Sequence, residues 1–241
     1  MRERLGPLAP EISEIYKTKN EFLERDFRLI TTINRAHAVM LGKQNILNHN
    51  TIAELLKVIS ELESEGGESL YKDPGPEDLY STVEQALIKR VGPDIGGRLH
   101  TGRSRNDLAA TVSRMATRER FISLTTLLLD LRKLLIAFSS NHIDTIMTGY
   151  THLQPAQPTT LGHYLISVSQ AIERDSNRLL HAYPRLNLSP LGACAFAGTG
   201  FPIDRGLTAK LLGFTGIVES TTDAVASRDY AIEFLAGMAS L

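Results

Sequence analysis

The sequence predicts an all-α fold built around one unusually long helix. Apolar residues recur at spacings of three and four along most of the chain, and no alternating run of β-branched residues predicts a strand. One apolar row repeats every seven residues without a break: Leu108, Met115, Ile122, Leu129, Ile136 and Ile143. This row predicts a helix over residues 104–142, on the order of 55 Å long. Because 241 residues hardly suffice to cover such a helix, we expect it to pack against other subunits of a homo-oligomer.

Shorter helices are predicted on both sides of the long one. Capping residues, glycines and prolines delimit them at 20–42, 51–62, 76–90, 159–181, 204–212 and 220–241. The glycine-rich segment 94–105 is expected to be irregular. The last predicted helix has no stop signal, which suggests that the sequence is a piece of a longer protein. We divide the chain into an N-terminal helical domain, residues 1–98, and the first part of a helical-bundle domain, residues 99–241.

Charge and composition argue against several classes of protein. Lysine and arginine number 26 against 27 acidic residues, so the chain has no excess of positive charge for nucleic-acid binding. The uncharged runs 145–172 and 186–203 contain prolines, glycines or polar residues and do not predict membrane spans. The N-terminus lacks the apolar segment of a signal peptide. With Cys194 as its one cysteine, the chain fits a cytoplasmic location.

The first segment that suggests chemistry is HTGRSRND, residues 100–107. Arg103 and Arg105 flank Ser104 at the predicted start of the long helix, where free backbone N–H groups favour an anion. Arginine binds carboxylate or phosphate in a bidentate manner, and Ser104 and Asn106 add short hydrogen-bonding side chains. The alternative is a solvated basic loop that only caps the helix. The P-loop spacing is missing, so a nucleoside triphosphate is not indicated.

The second segment is GYTHLQPAQPTTLG, residues 149–162, which we interpret as a loop stiffened by prolines. His152 in such a loop is a candidate general acid or base, with Thr151 and Gln154 as hydrogen-bonding neighbours. The alternative is a histidine that only bonds a backbone carbonyl. No histidine pair at helical spacing beside an acid predicts a metal site.

The third segment, residues 189–205, is rich in glycine and contains Cys194 between alanines. Gly198 and Gly200 allow a close backbone approach, which serves either a ligand or helix packing, and packing is the simpler interpretation. Cys194 is expected to be a small buried apolar residue and not a nucleophile.

Four blocks of the sequence resemble argininosuccinate lyases of the fumarase/aspartase superfamily, in matching order. The blocks are HTGRSRND at 100–107, GYTHLQPAQP at 149–158, PLGACAFAGTGFPIDR at 190–205 and DAVASRDYAIEFL at 223–235. HTGRSRND is the specific block, whereas THLQ followed by TLG is shared across the superfamily. The resemblance is weak before residue 77 and strong after residue 97.

The resemblance implies an all-helical homotetramer whose central bundle contains helices of all four subunits, with active sites formed by three of them. It implies the elimination of arginine from argininosuccinate to give fumarate, without a metal or an organic cofactor. Ser104, Arg105 and Asn106 would bind the substrate carboxylates, with Arg103 and Gln154 as further candidates. Thr151 would bind substrate, and His152 would belong to the acid/base apparatus.

The sequence also departs from the family pattern. The family's GSSxMPxKxN loop, which carries its serine base and a lysine, is absent from residues 1–241 and is expected beyond them, so this chain alone is expected to be inactive. Leu108 stands where glutamine is common, and Tyr80 where histidine is usual. The alternatives are a related lyase, acting on adenylosuccinate or on an aminopolycarboxylate, and a non-enzymatic structural protein on the same scaffold.

Overall fold

A computed structural model describes residues 20–71 and 78–241 of the chain. They divide into two compact units, which are described separately. Of the described residues, unit 1 comprises 20–71, 78–116 and 187–227, and unit 2 comprises Thr117–Leu186 and Arg228–Leu241. The two units are defined by packing within one chain. The domain boundary predicted after residue 98 refers instead to a helical bundle shared between subunits, and it stays a prediction.

Unit 1 is mainly helical. Its elements are α1 (Asn20–Lys43), α2 (His49–Glu65), α3 (Gly67–Tyr71), α4 (Leu79–Val91), α5 (Pro93–Gly96), a 3₁₀ helix (Gly97–His100), the start of α6 (Arg105–Ser140), strand β3 (Leu188–Ser189), α8 (Arg205–Leu211), strand β4 (Gly216–Ile217) and α9 (Thr221–Ala226). The short strands β3 and β4 pair in parallel. Helices α1, α2 and α4 form the core with fully buried side chains such as Leu29, Ile33, Leu55 and Ile59.

Unit 2 contains the rest of α6, an antiparallel hairpin and two further helices. The hairpin strands are β1 (Ile146–Thr151) and β2 (Gln154–Thr160), and the helices are α7 (Leu161–Leu186) and α10 (Asp229–Ala239). Phe121 lies at the centre of a small apolar cluster, with its ring 5.1 Å from that of Tyr183 and 5.3 Å from that of Phe234. This unit therefore has its own core around α6, α7 and α10.

The predicted long helix is confirmed as α6, which has 36 residues and is therefore about 54 Å long. The exposure of the apolar row that repeats every seven residues changes along the helix. Leu108 and Met115 are buried, whereas Ile122 is 51%, Leu129 45% and Ile136 41% exposed within the single chain. The second half of α6 thus presents a row of apolar side chains that residues 20–71 and 78–241 leave partly exposed.

Several predicted boundaries are wrong in detail. Segment 94–105 is irregular only over residues 101–104, because the end of α5 and the 3₁₀ helix occupy residues 94–100. Helix α2 begins earlier than predicted, since Asn48 and not Thr51 is its cap and accepts the Thr51 N–H. The single helix predicted for 220–241 is two helices, because Ser227 adopts an extended backbone that ends α9. A short polar side chain such as serine competes for backbone hydrogen bonds and favours such a break.

Other starts agree with the sequence. Asp204 caps α8 and Ser220 caps α9, as predicted. The Thr160 hydroxyl accepts the N–H of His163 at the start of α7, as expected for one of the two proposed caps, and α7 continues past its predicted end to Leu186. Among the helices of residues 20–71 and 78–241, none has both the length and the apolar character needed to cross a membrane.

Candidate active site

The start of α6 is fixed by hydrogen bonds between neighbouring residues. The Ser104 N–H donates to Asp107 Oδ1 at 3.0 Å, and the Asn106 N–H donates to Ser104 Oγ at 3.3 Å. This arrangement resembles a helix capping box: an acid reaches back to the N–H three positions earlier, while the Ser104 hydroxyl caps the N–H two positions later. The backbone of the predicted binding segment is therefore held in one conformation.

Asp107 also holds a distant loop, and sequence reasoning missed this role. Its buried Oδ2 accepts the N–H of Gly192 at 3.0 Å and that of Cys194 at 2.8 Å. Burial raises the pKa of the Asp107 carboxyl, and the hydrogen bonds from Ser104, Cys194 and Gly192 oppose that rise. The loop of the third sequence segment is thus attached to the start of α6 by one carboxylate.

Cys194 is buried, as the sequence predicted. Its thiol donates to the Gly102 carbonyl at 3.2 Å, and its backbone is left-handed with φ 54°. Burial, followed by the nearby charge of Asp107, raises the pKa of the thiol. These surroundings disfavour the thiolate, so they do not suit a nucleophile.

Arg103 points into unit 1 and not towards solvent. Its side chain is 7% exposed, and its guanidinium donates to Asn34 Oδ1 at 2.8 Å and to the Tyr80 hydroxyl at 3.3 Å. Its Nε is buried and has no hydrogen-bond partner among the described residues. The direct contact with substrate proposed for Arg103 stays a prediction, whereas its contacts within the chain serve to anchor the loop before α6.

A buried histidine supports the same loop. His37 is 1% exposed, and its Nε2 lies 2.9 Å from the Thr101 carbonyl oxygen. Burial, followed by the charge of Arg103, lowers the pKa of His37 to about 3. The ring is therefore neutral at physiological pH and donates its Nε2–H to the Thr101 carbonyl.

Tyr80 forms a polar cluster beside the loop. Its hydroxyl lies 2.6 Å from Nδ1 of His100 and 3.2 Å from Oε1 of Glu84. The hydrogen bond from His100 lowers the pKa of Glu84, and burial raises the pKa of Tyr80. The Tyr80 hydroxyl thus links α4 to the 3₁₀ helix through its contacts with Glu84 and His100.

Arg105 and Asn106 lie at the surface of unit 1. The Arg105 guanidinium donates to Ser81 Oγ at 2.5 Å and lies 3.6 Å from Asp78 Oδ2. Asn106 Nδ2 donates to the Ala195 carbonyl at 3.0 Å and the residue is exposed. Both side chains are held by the chain while part of each stays open to solvent, which suits the recognition of a carboxylate.

The second segment is a β-hairpin and not the loop that the sequence predicted. Its two-residue turn consists of His152 and Leu153, both left-handed with φ 48° and 62°. Thr151 pairs with Gln154 across the turn. Such a turn matches the twist of the two strands, although asparagine and glycine are its usual residues. The candidate base therefore lies at the tip of a hairpin.

The tip of this hairpin is open to solvent. Thr151, His152 and Gln154 are exposed, and Leu153 is 92% exposed. No side-chain hydrogen bond holds the His152 ring within the part of the chain that the structure describes. The alternative interpretation, in which His152 only donates a hydrogen bond to a backbone carbonyl, is therefore not supported. Beside the strands lies an open groove of 560 Å³, lined by residues including Tyr150, Thr151 and His163.

The structure thus groups the predicted site residues into two sets. Residues 103–106 belong to unit 1, and the hairpin residues Thr151, His152 and Gln154 belong to unit 2. Each set is locally ordered by hydrogen bonds of its own. Their roles towards a substrate stay predictions.

Comparison with known proteins gives a family. A family profile described as "Lyase" matches residues 6–241. The chain belongs to this lyase family. Among curated relatives, argininosuccinate lyase 1 of Shouchella clausii is 44% identical over 216 residues, 90% of this chain and 43% of the relative. The argininosuccinate lyase of Methanocorpusculum labreanum is 45% identical over 242 residues, 99% of this chain and 49% of the relative.

Solved structures of lyases also resemble the chain. A crystal structure of EDDS lyase in complex with formate gives a TM-score of 0.82 at 35% identity, covering 97% of this chain and 48% of that one. A variant of EDDS lyase with bound fumarate gives the same values. This lyase chain spans about half the length of the curated relatives that it matches.

Proposed function

We propose that this lyase is an argininosuccinate lyase, which eliminates arginine from argininosuccinate to give fumarate. The observation that carries the proposal is the segment Ser104–Asn106, fixed by Asp107 at the N-terminus of α6 with Arg105 and Asn106 at the surface. Curated relatives named argininosuccinate lyase, at 40–46% identity, support the choice of substrate.

The reaction is a β-elimination. A base removes a proton from the carbon next to a carboxylate, the carbon–nitrogen bond breaks, and a proton delivered to the departing nitrogen gives arginine and fumarate. The carbanion formed on proton removal places additional negative charge on the carboxylate, which preplaced positive charge and N–H donors stabilise. Arg105, Ser104 and Asn106 supply such groups, together with the free N–H groups of the first turn of α6.

The hairpin supplies the acid/base part of the proposal. Its tip presents His152 beside Thr151 on a backbone that the two strands order. An imidazole at this position either accepts a proton or orients a partner that does so. In this proposal Thr151 and Gln154 bind substrate, and the serine base and lysine that the resemblance implies come from a segment not contained in residues 1–241.

Assembly is part of the proposal. The apolar row of α6 that includes Ile122, Leu129 and Ile136 is exposed within one chain. We propose that it is covered by the long helices of other copies in a homotetramer, which would also complete each active site with residues from three subunits. The enzyme would act in the cytoplasm without a metal or an organic cofactor.

A second candidate keeps the reaction and changes the substrate. Likeness to EDDS lyase at 35% identity, and the presence of Tyr80 and Leu108 in place of the common family residues, favour a test of amino-dicarboxylate substrates other than argininosuccinate. Such a lyase would also form fumarate, so one assay covers both candidates.

The experiment is a fumarate-release assay, followed by ultraviolet absorbance, on the complete protein that carries this chain. Argininosuccinate, adenylosuccinate and EDDS are supplied in parallel, and residues 1–241 expressed alone serve as the comparison. We expect turnover of argininosuccinate by the complete protein and none by residues 1–241 alone. Turnover of EDDS in preference to argininosuccinate would favour the second candidate, and release from no substrate would contradict both.

A further inference from the structure

The guanidinium of Arg105 is held by the first turn of α4. It donates to Ser81 Oγ at 2.5 Å, and its Nη1 lies 3.6 Å from Asp78 Oδ2. Both contacts come from residues 24 and 27 positions earlier in the chain, at the N-cap and in the first turn of α4, so this part of the chain helps to orient the side chain. The Arg105 side chain nevertheless keeps 36% of its surface exposed.

Ser81 connects this arginine to Asp78 by a directed chain of hydrogen bonds. The Ser81 hydroxyl donates to Asp78 Oδ1 at 2.8 Å and accepts from Arg105 Nη2. A hydroxyl that donates to a carboxylate becomes a better acceptor, because consecutive hydrogen bonds polarise one another. Ser81 is 3% exposed, so its hydroxyl has little freedom to turn elsewhere.

The ring of Tyr80 completes the support. The Arg105 guanidinium carbon lies 5.9 Å from the ring centroid, and that of Arg103 lies 5.6 Å from the same centroid. A cation at this distance from an aromatic face is attracted by it. Arg105 is therefore restrained from two sides, by the ring and by the hydroxyl of Ser81.

We propose that Ser81 is a positioning residue, whose hydroxyl, oriented by Asp78, holds the Arg105 guanidinium ready to bind a substrate carboxylate. This inference rests on the proposed function of Arg105. It assigns a task to the first turn of α4, which the sequence motifs did not indicate. Without the hydroxyl, Arg105 would need to be ordered anew each time a carboxylate binds, and that cost would appear in affinity.

The test is Ser81→Ala in the complete protein, with the kinetics of fumarate release and the calorimetric binding of fumarate as two readouts. The Ser81 N–H still donates to Asp78 in this variant, so the cap of α4 is retained. We expect KM and the Kd of fumarate each to rise about 10-fold, with kcat lowered less than about threefold, as for lost ground-state binding. Ser81→Thr keeps a hydroxyl and is expected to restore most of the affinity.

Ser60 offers a matched control. Its hydroxyl also accepts a hydrogen bond from an arginine of unit 1, Arg35, at 3.1 Å, but this pair lies at the exposed side of α1 and α2. Ser60→Ala therefore removes the same kind of contact and is expected to leave KM and Kd unchanged. A rise equal to that of Ser81→Ala would overturn the proposal.

A double-mutant cycle separates positioning from general stability. If Ser81 acts through Arg105, then Ser81→Ala in an Arg105→Lys background should change the Kd of fumarate less than about twofold. An undiminished effect in that background would overturn the proposal. Asp78→Asn keeps a good cap and removes the charge, and we expect a smaller weakening in the same direction.

The two readouts also separate this inference from the proposed function. A wild-type protein that binds fumarate but does not turn over argininosuccinate contradicts the proposed function, while a weaker Kd in Ser81→Ala still supports positioning. Normal turnover with unchanged KM and Kd in Ser81→Ala overturns positioning alone. A wild-type protein that binds no dicarboxylate overturns both.

Discussion

The buried carboxylate of Asp107 accepts a hydrogen bond of 2.8 Å from the backbone N–H of Cys194, which lies 87 positions later in the chain. The same carboxylate accepts the N–H of Ser104 at the start of α6. One side chain therefore fixes both the predicted substrate-binding segment and the glycine-rich loop that packs on it.

Asp107→Asn is expected to lower the free energy of unfolding by about 3 kcal/mol, because an amide places a donor against one of the backbone N–H groups in a buried site. Urea unfolding of the variant measures this change. Asp204→Asn is the control, since Asp204 caps α8 by accepting the Leu207 N–H and asparagine caps equally well. Equal stability of the two variants would contradict the linking role of Asp107.

The sequence predicts α6 well and the hairpin badly, for reasons that particular residues explain. A row of apolar residues at spacing seven is a long-range signal, and it locates α6 to within two residues at either end. The turn of His152 and Leu153 lacks the usual asparagine and glycine, and prolines in β2 argue against a strand. They are tolerated because β2 is an edge strand, which among the described residues pairs with β1 alone.

The site could be predicted only as far as local motifs extend. Ser104 to Asn106 are recognisable from their own neighbours, and so is His152. Asp107 binds the backbone N–H groups of Gly192 and Cys194, and a pattern of side chains in the sequence cannot predict contacts with backbone groups. Contacts between distant segments arise from the tertiary fold, and one sequence carries no direct signal for them.

Stability should depend on pH through His37. The folded protein keeps this ring neutral down to a pKa of about 3, while the unfolded chain titrates near 6.5. Between pH 3 and pH 6.5 the unfolded state therefore binds more protons than the folded state. The contribution of His37 to the free energy of unfolding is complete above pH 6.5, and it falls by up to roughly 1.4 kcal/mol per pH unit as the pH is lowered towards 3. Unfolding midpoints at several pH values measure the slope. His37→Gln keeps a hydrogen-bond donor for the Thr101 carbonyl and should reduce the slope of stability against pH. An unchanged slope in this variant would exclude His37 as the cause of the pH dependence.

The hairpin depends on a glycine at a point of close approach. A Cβ on Gly149 would lie 2.7 Å from the Gln157 carbonyl oxygen of the opposite strand, so Gly149→Ala must displace backbone. We expect kcat of the complete protein to fall about 10-fold or more, because the hairpin that carries His152 moves. Gly97→Ala is the control, since nothing lies within 4 Å of a Cβ there. Equal kcat values for both variants would mean that the hairpin position does not affect turnover.

Assembly is tested on the exposed row of α6. Leu129 is 45% exposed in the single chain, and Leu129→Asp would place an unpaired charge in the proposed contact between subunits. We expect light scattering to show smaller species than the wild-type oligomer. Leu211, 46% exposed on the short helix α8, is the matched control, and Leu211→Asp should leave the oligomer intact. An intact oligomer for Leu129→Asp would place this residue outside the subunit contact.

His152→Asn tests the catalytic assignment without disturbing the hairpin. Asparagine tolerates the left-handed backbone that His152 adopts at φ 48°, so the turn should be retained. If the imidazole transfers a proton or orients the group that does, turnover of the complete protein should fall by on the order of 10²-fold, with the oligomer unchanged. Leu153→Asn makes the same replacement at the other turn residue, φ 62°, and is expected to keep near-normal kcat. Because both variants place asparagine in the same turn, a loss confined to His152→Asn follows from the imidazole, whereas undiminished turnover would remove His152 from the mechanism.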